Sequence, residues 1–369
     1  MKRITIGTLI LTIYALIVFY LGYNTFQWLQ TWNLPIHFVL FSLIWFAISF
    51  GYIIGKISHK LKHFSMMGSY WFIVMQYGVI LFPITTIIYL LLPSQQTIFV
   101  VGNVVMAIFL IIFIAGTYMA FSPVVRHKTI YVDKDSGSHR ELKIVVASDF
   151  HLGLLSNKKH LQRFVDLSNL EQPDVVLLAG DLVDDDPIWF VADGMSEVMK
   201  QLKSTYGVYG VVGNHEYYGR KIPLLVEEMR KAGVRMLLDE TILIDKAFYV
   251  SGREDATNGK RKSLASLKPD NEELPWFVMD HTPFDLKTPS ELKVDVHVSG
   301  HTHRGQMWPN HLFTGRLFEL DYGYKLKGAM HTFVSSGFGF WGPPIRLGSR
   351  SEIWSITVKF SKEDIDQEE

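Results

Sequence analysis

The first 125 residues contain no Asp or Glu and only five basic residues, Lys2, Arg3, Lys56, Lys60 and Lys62. A soluble domain of that length needs charged outer faces, and this stretch cannot supply them. Four apolar segments fill it: Ile4 to Tyr23, Leu34 to Gly55, Ser69 to Leu92 and Thr97 to Phe121. Each reaches the roughly 20 residues that cross a hydrocarbon core. A helix closes its own backbone hydrogen bonds, so a bundle of four transmembrane helices over residues 1–125 is expected. No small-residue cleavage site follows Tyr23, and Asn24 to Trp32 is polar and aromatic. The first segment therefore reads as a span followed by an interfacial loop, not as a removable leader. A hydrophobic share of 48% and a mean hydropathy of +0.16 agree with a chain that is partly in a membrane.

Basic residues flank alternate connections. Lys2 and Arg3 precede the first segment, Lys56, Lys60 and Lys62 lie between the second and third, and Arg126 and Lys128 follow the fourth. The connections Asn24 to Asn33 and Pro93 to Gln96 have none. This bias predicts a multi-pass protein of the cell membrane with both termini and the large second part in the cytoplasm. Gln76 is the most polar group deep in a segment and reads as a hydrogen-bonding partner for a neighbouring helix. With no Asp, Glu, Lys or Arg inside the segments, a proton or ion pathway has little to work with, and the bundle reads as an anchor.

All 36 acidic residues lie beyond residue 125, with the 31 that remain of 36 basic ones, a net charge near −5. That balance argues against a nucleic-acid or other polyanion binder, which would present a basic face. There is no Cys, so thiolate metal sites and disulfides are excluded.

Ser122-Pro123 ends the fourth segment, and residues 126–140 read as a linker ending in a polar turn. Strands and helices then alternate: Leu142 to Ala147, Val175 to Ala179 and Val208 to Val212 as strands, and Lys158 to Leu170, Ile188 to Leu202 and Ile222 to Ala232 as helices. From about Val234 the pattern is mainly β, with runs at Phe248 to Ser251, Trp276 to Met279, Val294 to Val298, Thr332 to Ser335 and Ile353 to Val358. Two βαβ-like units followed by a β-rich half predict a two-sheet α/β sandwich over 141–360. The charged run Arg253 to Pro269 reads as a surface excursion, and 361–369 as a polar tail.

Five of the strands end in metal-competent side chains: Asp149-Phe150-His151, Gly180-Asp181-Leu182-Val183-Asp184, Gly213-Asn214-His215-Glu216, Asp280-His281 and Gly300-His301-Thr302-His303-Arg304. Strand ends that share this grammar describe one site. Carboxylate, imidazole and amide oxygen together suit Mn, Fe or Zn, whereas Ca or Mg would want oxygen alone. If two ions sit about 3.5 to 4 Å apart, one carboxylate bridges them, and the pair can hold a bridging hydroxide and clamp an in-line displacement at phosphorus. Asp181, after Gly180, is the best bridging candidate.

These motifs, in this order, resemble those of the calcineurin-like binuclear metallophosphoesterases. The run Gly337-Phe338-Gly339-Phe340-Trp341-Gly342-Pro343-Pro344-Ile345-Arg346 further resembles the bacterial membrane-associated phosphodiesterase branch. The resemblance implies a four-layer αββα sandwich and a cofactor of two divalent transition-metal ions. One ion would be held by Asp149, His151, Asp181 and His303, and the other by Asp181, Asn214, His281 and His301. It implies that His215 is the outer-sphere group that protonates the leaving oxygen or stabilises the transition state. Two departures stand out. Protein phosphatases of this superfamily carry an Arg after the second motif, where this chain has Asp185 and Asp186; that weakens a phosphoprotein reading. Arg304 stands where many relatives have Gly.

Asp184 and Glu216 read as groups that hold imidazoles or loops in place rather than as ligands. Arg304 and Arg346 are candidate contacts to substrate phosphate, against the alternative of surface cations. His297, His331 and His37 read as core or interface histidines, and Phe338, Phe340 and Trp341 as a packed loop. The expected activity is hydrolysis of a phosphodiester or pyrophosphate, with a lipid-linked phosphoester among the candidate substrates. Two other classes fit parts of the sequence: a catalytically silent receptor or scaffold on the same fold, and a membrane sensor whose phosphoesterase part is regulatory.

Overall fold

In a computed structural model, which describes residues 2–57, 59–137 and 139–360, the apolar first part is helical. The polar tail expected at 361–369 lies outside the described residues. The chain divides into two compact units, Met1–Ala115 and Gly116–Glu369.

The first unit is built from α1 (Lys2–Gln30), α2 (Phe38–Ser49), α3 (Gly51–Ile57), α4 (Lys62–Leu91) and most of α5 (Gln95–Phe121). Among the described residues three helices are long and apolar enough to cross a membrane: α1 over Ile6–Gln30, α4 and α5. The second expected span is not one long helix. α2 has 12 residues, and Phe50, at φ −98° and ψ 0°, turns the chain before α3. Close approach of α3 to α4 accounts for the turn. A Cβ on Gly55 would stand 2.3 Å from the Ser65 nitrogen, and one on Gly68 would stand 1.9 Å from that of Tyr52. Small residues let two backbones meet in this way. Inside the unit Trp71 and Leu21 are buried, and Trp45 Nε1 donates to the Val18 carbonyl at 2.9 Å. Leu9, Ile10, Leu16, Leu43 and Leu110 face outward, as a hydrocarbon solvent requires.

The second unit contains β1 (Val124–Val132), β2 (Glu141–Ala147), β3 (Val175–Ala179), β4 (Val208–Val211) and β5 (Val234–Met236). It continues with β6 (Glu240–Ile244), β7 (Phe248–Gly252), β8 (Trp276–Met279), β9 (Val296–Ser299), β10 (Gly323–Lys327), β11 (Met330–Val334) and β12 (Glu352–Phe360). One sheet has the order β1-β12-β2-β3-β4-β5, the other β10-β11-β9-β8-β7-β6. Strands β2 to β5 run parallel, as do β7, β8, β9 and β11.

Alternation along each strand divides its side chains between two cores. Ile144, Val146 and Leu177 face inward to meet Val250, Phe277 and Val298 of the second sheet. Val145, Val176 and Leu178 face outward, against α6 (Lys158–Leu170), α8 (Met195–Met199) and α10 (Ile222–Lys231). The far face of the second sheet is covered more thinly, by Leu264, Leu267 and Leu286. The architecture is a mixed α/β sandwich.

Two segments differ from their sequence reading. The expected linker 126–140 begins as β1, which pairs in parallel with β12 over nine positions, and Arg126 Nε is 2.5 Å from Glu352 Oε2. Sequence order hides this, because the pairing joins the start of the unit to its end. The expected helix Ile188 to Leu202 is two short helices, α7 (Ile188–Ala192) and α8, separated where Gly194 takes φ +60°.

α6 begins at Asn157, whose side chain accepts from Lys159 N at 3.0 Å and His160 N at 3.3 Å. This places His160 among Phe121, Phe338 and Phe340. His160 Nε2 lies 3.0 Å from the Phe338 carbonyl, so that nitrogen carries the proton, and Nδ1 has no hydrogen-bond partner. Burial, reinforced by Arg163 and Arg346, brings the imidazole down to about 4. Between the ordinary value of 6.5 and about 4, the unfolded chain binds a proton that the folded chain does not. Stability therefore falls as pH drops through that window. In thermal unfolding in detergent at pH 7 and pH 5, the wild type should lose ~1–2 kcal/mol more than His160→Gln. Equal losses would show that His160 carries no such term.

Candidate metal centre

The strands converge on one place. β2, β3, β4, β8 and β9 all end on the same rim, outside the carboxyl ends of two parallel arrays, where α/β sheets open a crevice. The loops that follow carry Asp149 and His151, Asp181, Asn214 and His215, His281, and His301 and His303 respectively. A regular pleat could not aim adjacent side chains at one point. Asp149, His151, Asp181, His301 and His303 accordingly hold φ between +44° and +71°. Non-glycine residues in the left-handed region cost of order 1–3 kcal/mol each unless their surroundings enforce it, and such outliers cluster at functional sites. Gly180, at φ +85°, has a further reason: a Cβ there would stand 2.6 Å from His281 Nδ1.

Among the described residues four groups of potential ligand atoms result, each within 4.8 Å of one another: Asp149, His151 and His303; His151, Asp181 and His215; Asp181, His281 and His301; and, more exposed, Asp184, Asp185 and His215. Asp181 is shared by two of them, and His151 joins these to the Asp149 group. Asp181 Oδ2 is 3.1 Å from His281 Nε2 and 3.8 Å from His151 Nε2, while its Oδ1 accepts from His215 N at 2.9 Å. Both oxygens of Asp149 accept from His301 N, at 2.9 and 3.1 Å, and Ser148 Oγ donates to Oδ2. His301 Nδ1 lies 2.8 Å from Asn214 Oδ1.

Unsatisfied atoms show what the site is built for. His281 Nδ1 donates to the Ala179 carbonyl at 2.8 Å, which turns Nε2 toward Asp181 Oδ2, 3.1 Å away. His151 Nδ1 is buried without a partner, and His151 Nε2 faces His303 Nε2 at 3.0 Å. Buried ring nitrogens that face carboxylates and one another across one small space fit a cation among them. The donor set, N and O without sulfur, suits a divalent transition metal.

Electrostatics point the same way. Burial removes the charge from His151, whose imidazole falls to about 3, from His301, at about 4, and from His303. The neutral ring is the ligating form. Burial also pushes Asp149 up to about 6, against the pull of His281. Burial opposes the charges of Asp181 and His281 as well, but their mutual attraction prevails: Asp181 stays far below the usual carboxylate range and His281 well above 6.5.

Around this cluster lie the positioning groups. Glu216 is buried and accepts from Gly213 N at 2.6 Å, Val183 N at 3.0 Å and Asp181 N at 3.2 Å, tying two ligand loops together. His215 Nδ1 is 2.7 Å from Asp185 Oδ1 and 3.9 Å from Asp184 Oδ1. Burial works against a charged His215, but Asp185, Asp181 and Asp184 overcome it and lift the ring to about 9. The nearer carboxylate is thus Asp185, which sequence reasoning had noted only as a departure from the phosphatase pattern. Asp280, which the sequence groups with His281 among the metal-competent strand ends, is put to another use: its carboxylate accepts from Arg253 at 2.6 Å and Arg261 at 3.1 Å, so the 253–269 excursion is clamped beside His281.

The two arginine candidates are committed elsewhere. Arg346 is fully buried and donates to the carbonyls of Gly337 and Gly339 and to Ser349 Oγ, with Nη2 3.3 Å from His303 Nδ1. It cannot reach substrate phosphate, because every side of its guanidinium faces protein. Arg304, at φ +51°, lies over the Tyr322 ring at 4.7 Å.

A strand-end crevice lined by imidazoles and carboxylates at the ends of two parallel arrays defines the metal-site class of α/β sandwich. Residues 142–305 match the calcineurin-like phosphoesterase family model. A metallophosphoesterase of Aquifex aeolicus is 31% identical over 228 residues, 59% of this chain and 85% of that protein. One of Helicobacter pylori is 34% identical over 243 residues, 63% of this chain and 62% of its own length. The chain thus covers less than two thirds of that relative. A Bos taurus transmembrane protein with metallophosphoesterase domain is 29% identical over 259 residues, 64% of this chain and 57% of that protein. The solved calcineurin-like phosphoesterase YfkN of Bacillus subtilis aligns over 54% of this chain and 82% of its own, at 13% identity and a TM-score of 0.35. The chain belongs to the calcineurin-like metallophosphoesterase family.

Asp181→Asn removes one negative charge from the carboxylate shared by two of the clusters. Metal analysis of the purified variant should show most bound transition metal lost, with the circular dichroism spectrum kept and turnover down at least ~100-fold. Wild-type turnover would place the site elsewhere. Arg346→Lys should behave as a packing lesion, lowering stability by ~2 kcal/mol or more through lost buried hydrogen bonds while KM is unchanged. A raised KM with unchanged stability would return Arg346 to substrate binding.

Proposed function

We propose that the protein is a membrane-anchored phosphodiesterase whose site holds two divalent transition-metal ions, Mn, Fe or Zn. On this reading Asp149, His151, Asp181 and His303 hold one ion, and Asp181, Asn214, His281 and His301 the other. Such a pair supplies an activated water and neutralises charge on the phosphoryl oxygens. One observation favours a diester over a monoester. The pocket, about 240 Å³, is lined by Asp181, Asn214, His215, His301, Thr302, His303, Gly305, Gln306 and Trp341, with no Lys or Arg among them. A dianionic monoester is usually gripped by such cations; a monoanionic diester needs them less.

His215 takes the part of the acid. Asp185 holds Nδ1, which leaves Nε2 as the ring nitrogen for the leaving oxygen. The membrane reading rests on the apolar helices and on the basic residues around them. α2 and α3 together make roughly 30 Å of helix at 1.5 Å per residue, enough for a broken fourth span. The basic connections then put both termini and the catalytic unit in the cytoplasm. A tethered site is concentrated toward anything else confined to that leaflet, which favours a lipid-linked phosphoester or pyrophosphate as substrate.

Purified full-length protein should hydrolyse a bis-aryl phosphodiester at least ~10-fold faster than the aryl monoester, measured as kcat/KM; the reverse order would overturn the diester reading. His215→Ala should keep its metal but lower kcat by ~10²- to 10⁴-fold, less so for leaving groups that need no proton. Loss of metal from this variant would make His215 a ligand instead.

A further inference from the structure

We propose that the apolar lobe carried by α12 (His311–Leu317) is a bilayer-docking surface, which seats the mouth of the metal pocket against the phospholipid interface. The proposal rests on the membrane-spanning reading of the long helices and adds a second, independent membrane contact made by the catalytic unit itself.

The lobe cannot be explained as part of the fold. α12 buries none of its residues, yet Leu312, Phe313 and Leu317 are 53%, 62% and 74% exposed, and Trp308 just before it is 53% exposed. Four large apolar side chains exposed within the ten residues 308–317 mark an interaction surface.

What covers it follows from where the lobe is rooted. Trp308 N donates to the Leu347 carbonyl at 2.7 Å, and Leu347 N donates to the Gln306 carbonyl at 2.9 Å. The neighbouring residue, Arg346, donates its backbone N–H to the Gly116 carbonyl at 3.0 Å, and Ser351 N donates to that of Met119 at 3.2 Å. Gly116 to Phe121 are the last residues of α5, a helix long and apolar enough to cross a membrane, and they belong to the same compact unit as the sheets. One short loop, residues 341–351, therefore joins the root of the lobe to the point where the chain leaves the hydrocarbon. Tyr118, 62% exposed, stacks under Arg350 at 5.3 Å. That pairing of aromatic and cation suits the headgroup level, as does the indole of Trp308. Arg316, in the last turn of α12, adds a charge suited to anionic headgroups.

The same loop reaches the pocket. Trp341 N donates to Gln306 Oε1 and Gln306 Nε2 donates to the Trp341 carbonyl, both at 2.9 Å, and both residues line the metal pocket. Docking the lobe thus brings the pocket to headgroup depth. A water-soluble substrate gains nothing from this arrangement, and a lipid phosphoester need not leave the bilayer to be reached.

The chain has no cysteine, so single thiols can be introduced without removing any. Phe313→Cys, Leu16→Cys in α1 and Lys260→Cys on the 253–269 loop are each labelled with an environment-sensitive fluorophore. The full-length protein is then reconstituted in phosphatidylcholine–phosphatidylglycerol vesicles containing lipid with a nitroxide at a shallow acyl position. We expect quenching at Phe313→Cys to exceed that at Lys260→Cys at least twofold and to approach that at Leu16→Cys. Quenching at Phe313→Cys no greater than at Lys260→Cys, with Leu16→Cys quenched, overturns the docking surface and leaves the membrane anchor standing. An unquenched Leu16→Cys overturns the anchor and the docking surface together. A blue shift at Phe313→Cys that depends on protein concentration and not on quencher lipid also overturns the proposal, and assigns the lobe to self-association.

Discussion

A carboxylate removed from water needs a positive charge within reach, and Asp181 is placed where three imidazoles converge on it. Ionised carboxylates are costly to bury without such partners. Much of the second unit serves this one placement. Glu216 fixes the backbone of Asp181 and Val183, His215 N caps Oδ1, and His281 is oriented by the Ala179 carbonyl so that its Nε2 meets Oδ2. Two sheets are needed because the attraction is three-dimensional: Asp181 comes from the end of β3 and His281 from the end of β8, which lie in different sheets.

The cost of this convergence appears in the backbone. Of the fifteen non-glycine residues with positive φ among the described residues, eight lie at the site or beside it: Asp149, His151, Asp181, Asp185, His301, His303, Arg304 and Gln306. Asp, Asn and His tolerate that region better than bulky residues do, which links ligand chemistry to loop geometry. Buried apolar strands on both sides of the rim absorb the strain. Val145, Val146, Leu177 and Leu178 are wholly or almost wholly buried on both faces of the first sheet, the pattern of a parallel sheet covered on both sides.

Much of this was legible in the sequence because it is local. Strands β2, β3, β4, β8 and β9 announce themselves as short apolar runs, and each is followed at once by its ligand motif. What was not legible depends on contacts across long separations or on a choice between near-equal neighbours. β1 looks like a linker because its partner, β12, lies more than 200 residues away. Asp184 and Asp185 are adjacent, and only the turn at Asp185, φ +60°, decides which one meets His215. Ile188 to Leu202 carries a helical pattern, and a single left-handed glycine divides it. The second apolar segment reads as one span because hydropathy registers composition and not a turn at Phe50 that lets Gly55 lie against Ser65.

Arg346 shows most clearly why a motif residue can be read correctly and assigned wrongly. An arginine after Gly-Pro-Pro near a phosphoesterase site invites a phosphate contact, yet its donors are taken by Gly337, Gly339 and Ser349. Arg253 and Arg261 are likewise spent on Asp280, and Arg304 lies over Tyr322. The guanidinium groups around the rim thus hold loops, and none of them lines the pocket. On the proposed function, positive charge at the reacting phosphorus would come from within the ligand cluster itself, which would tie catalysis to metal binding and leave the loops to set geometry. Such a division has a physical advantage. A guanidinium in the pocket would compete with a metal ion for Asp149 and Asp181, whereas one buried behind His303 raises no such competition and still fixes the ring.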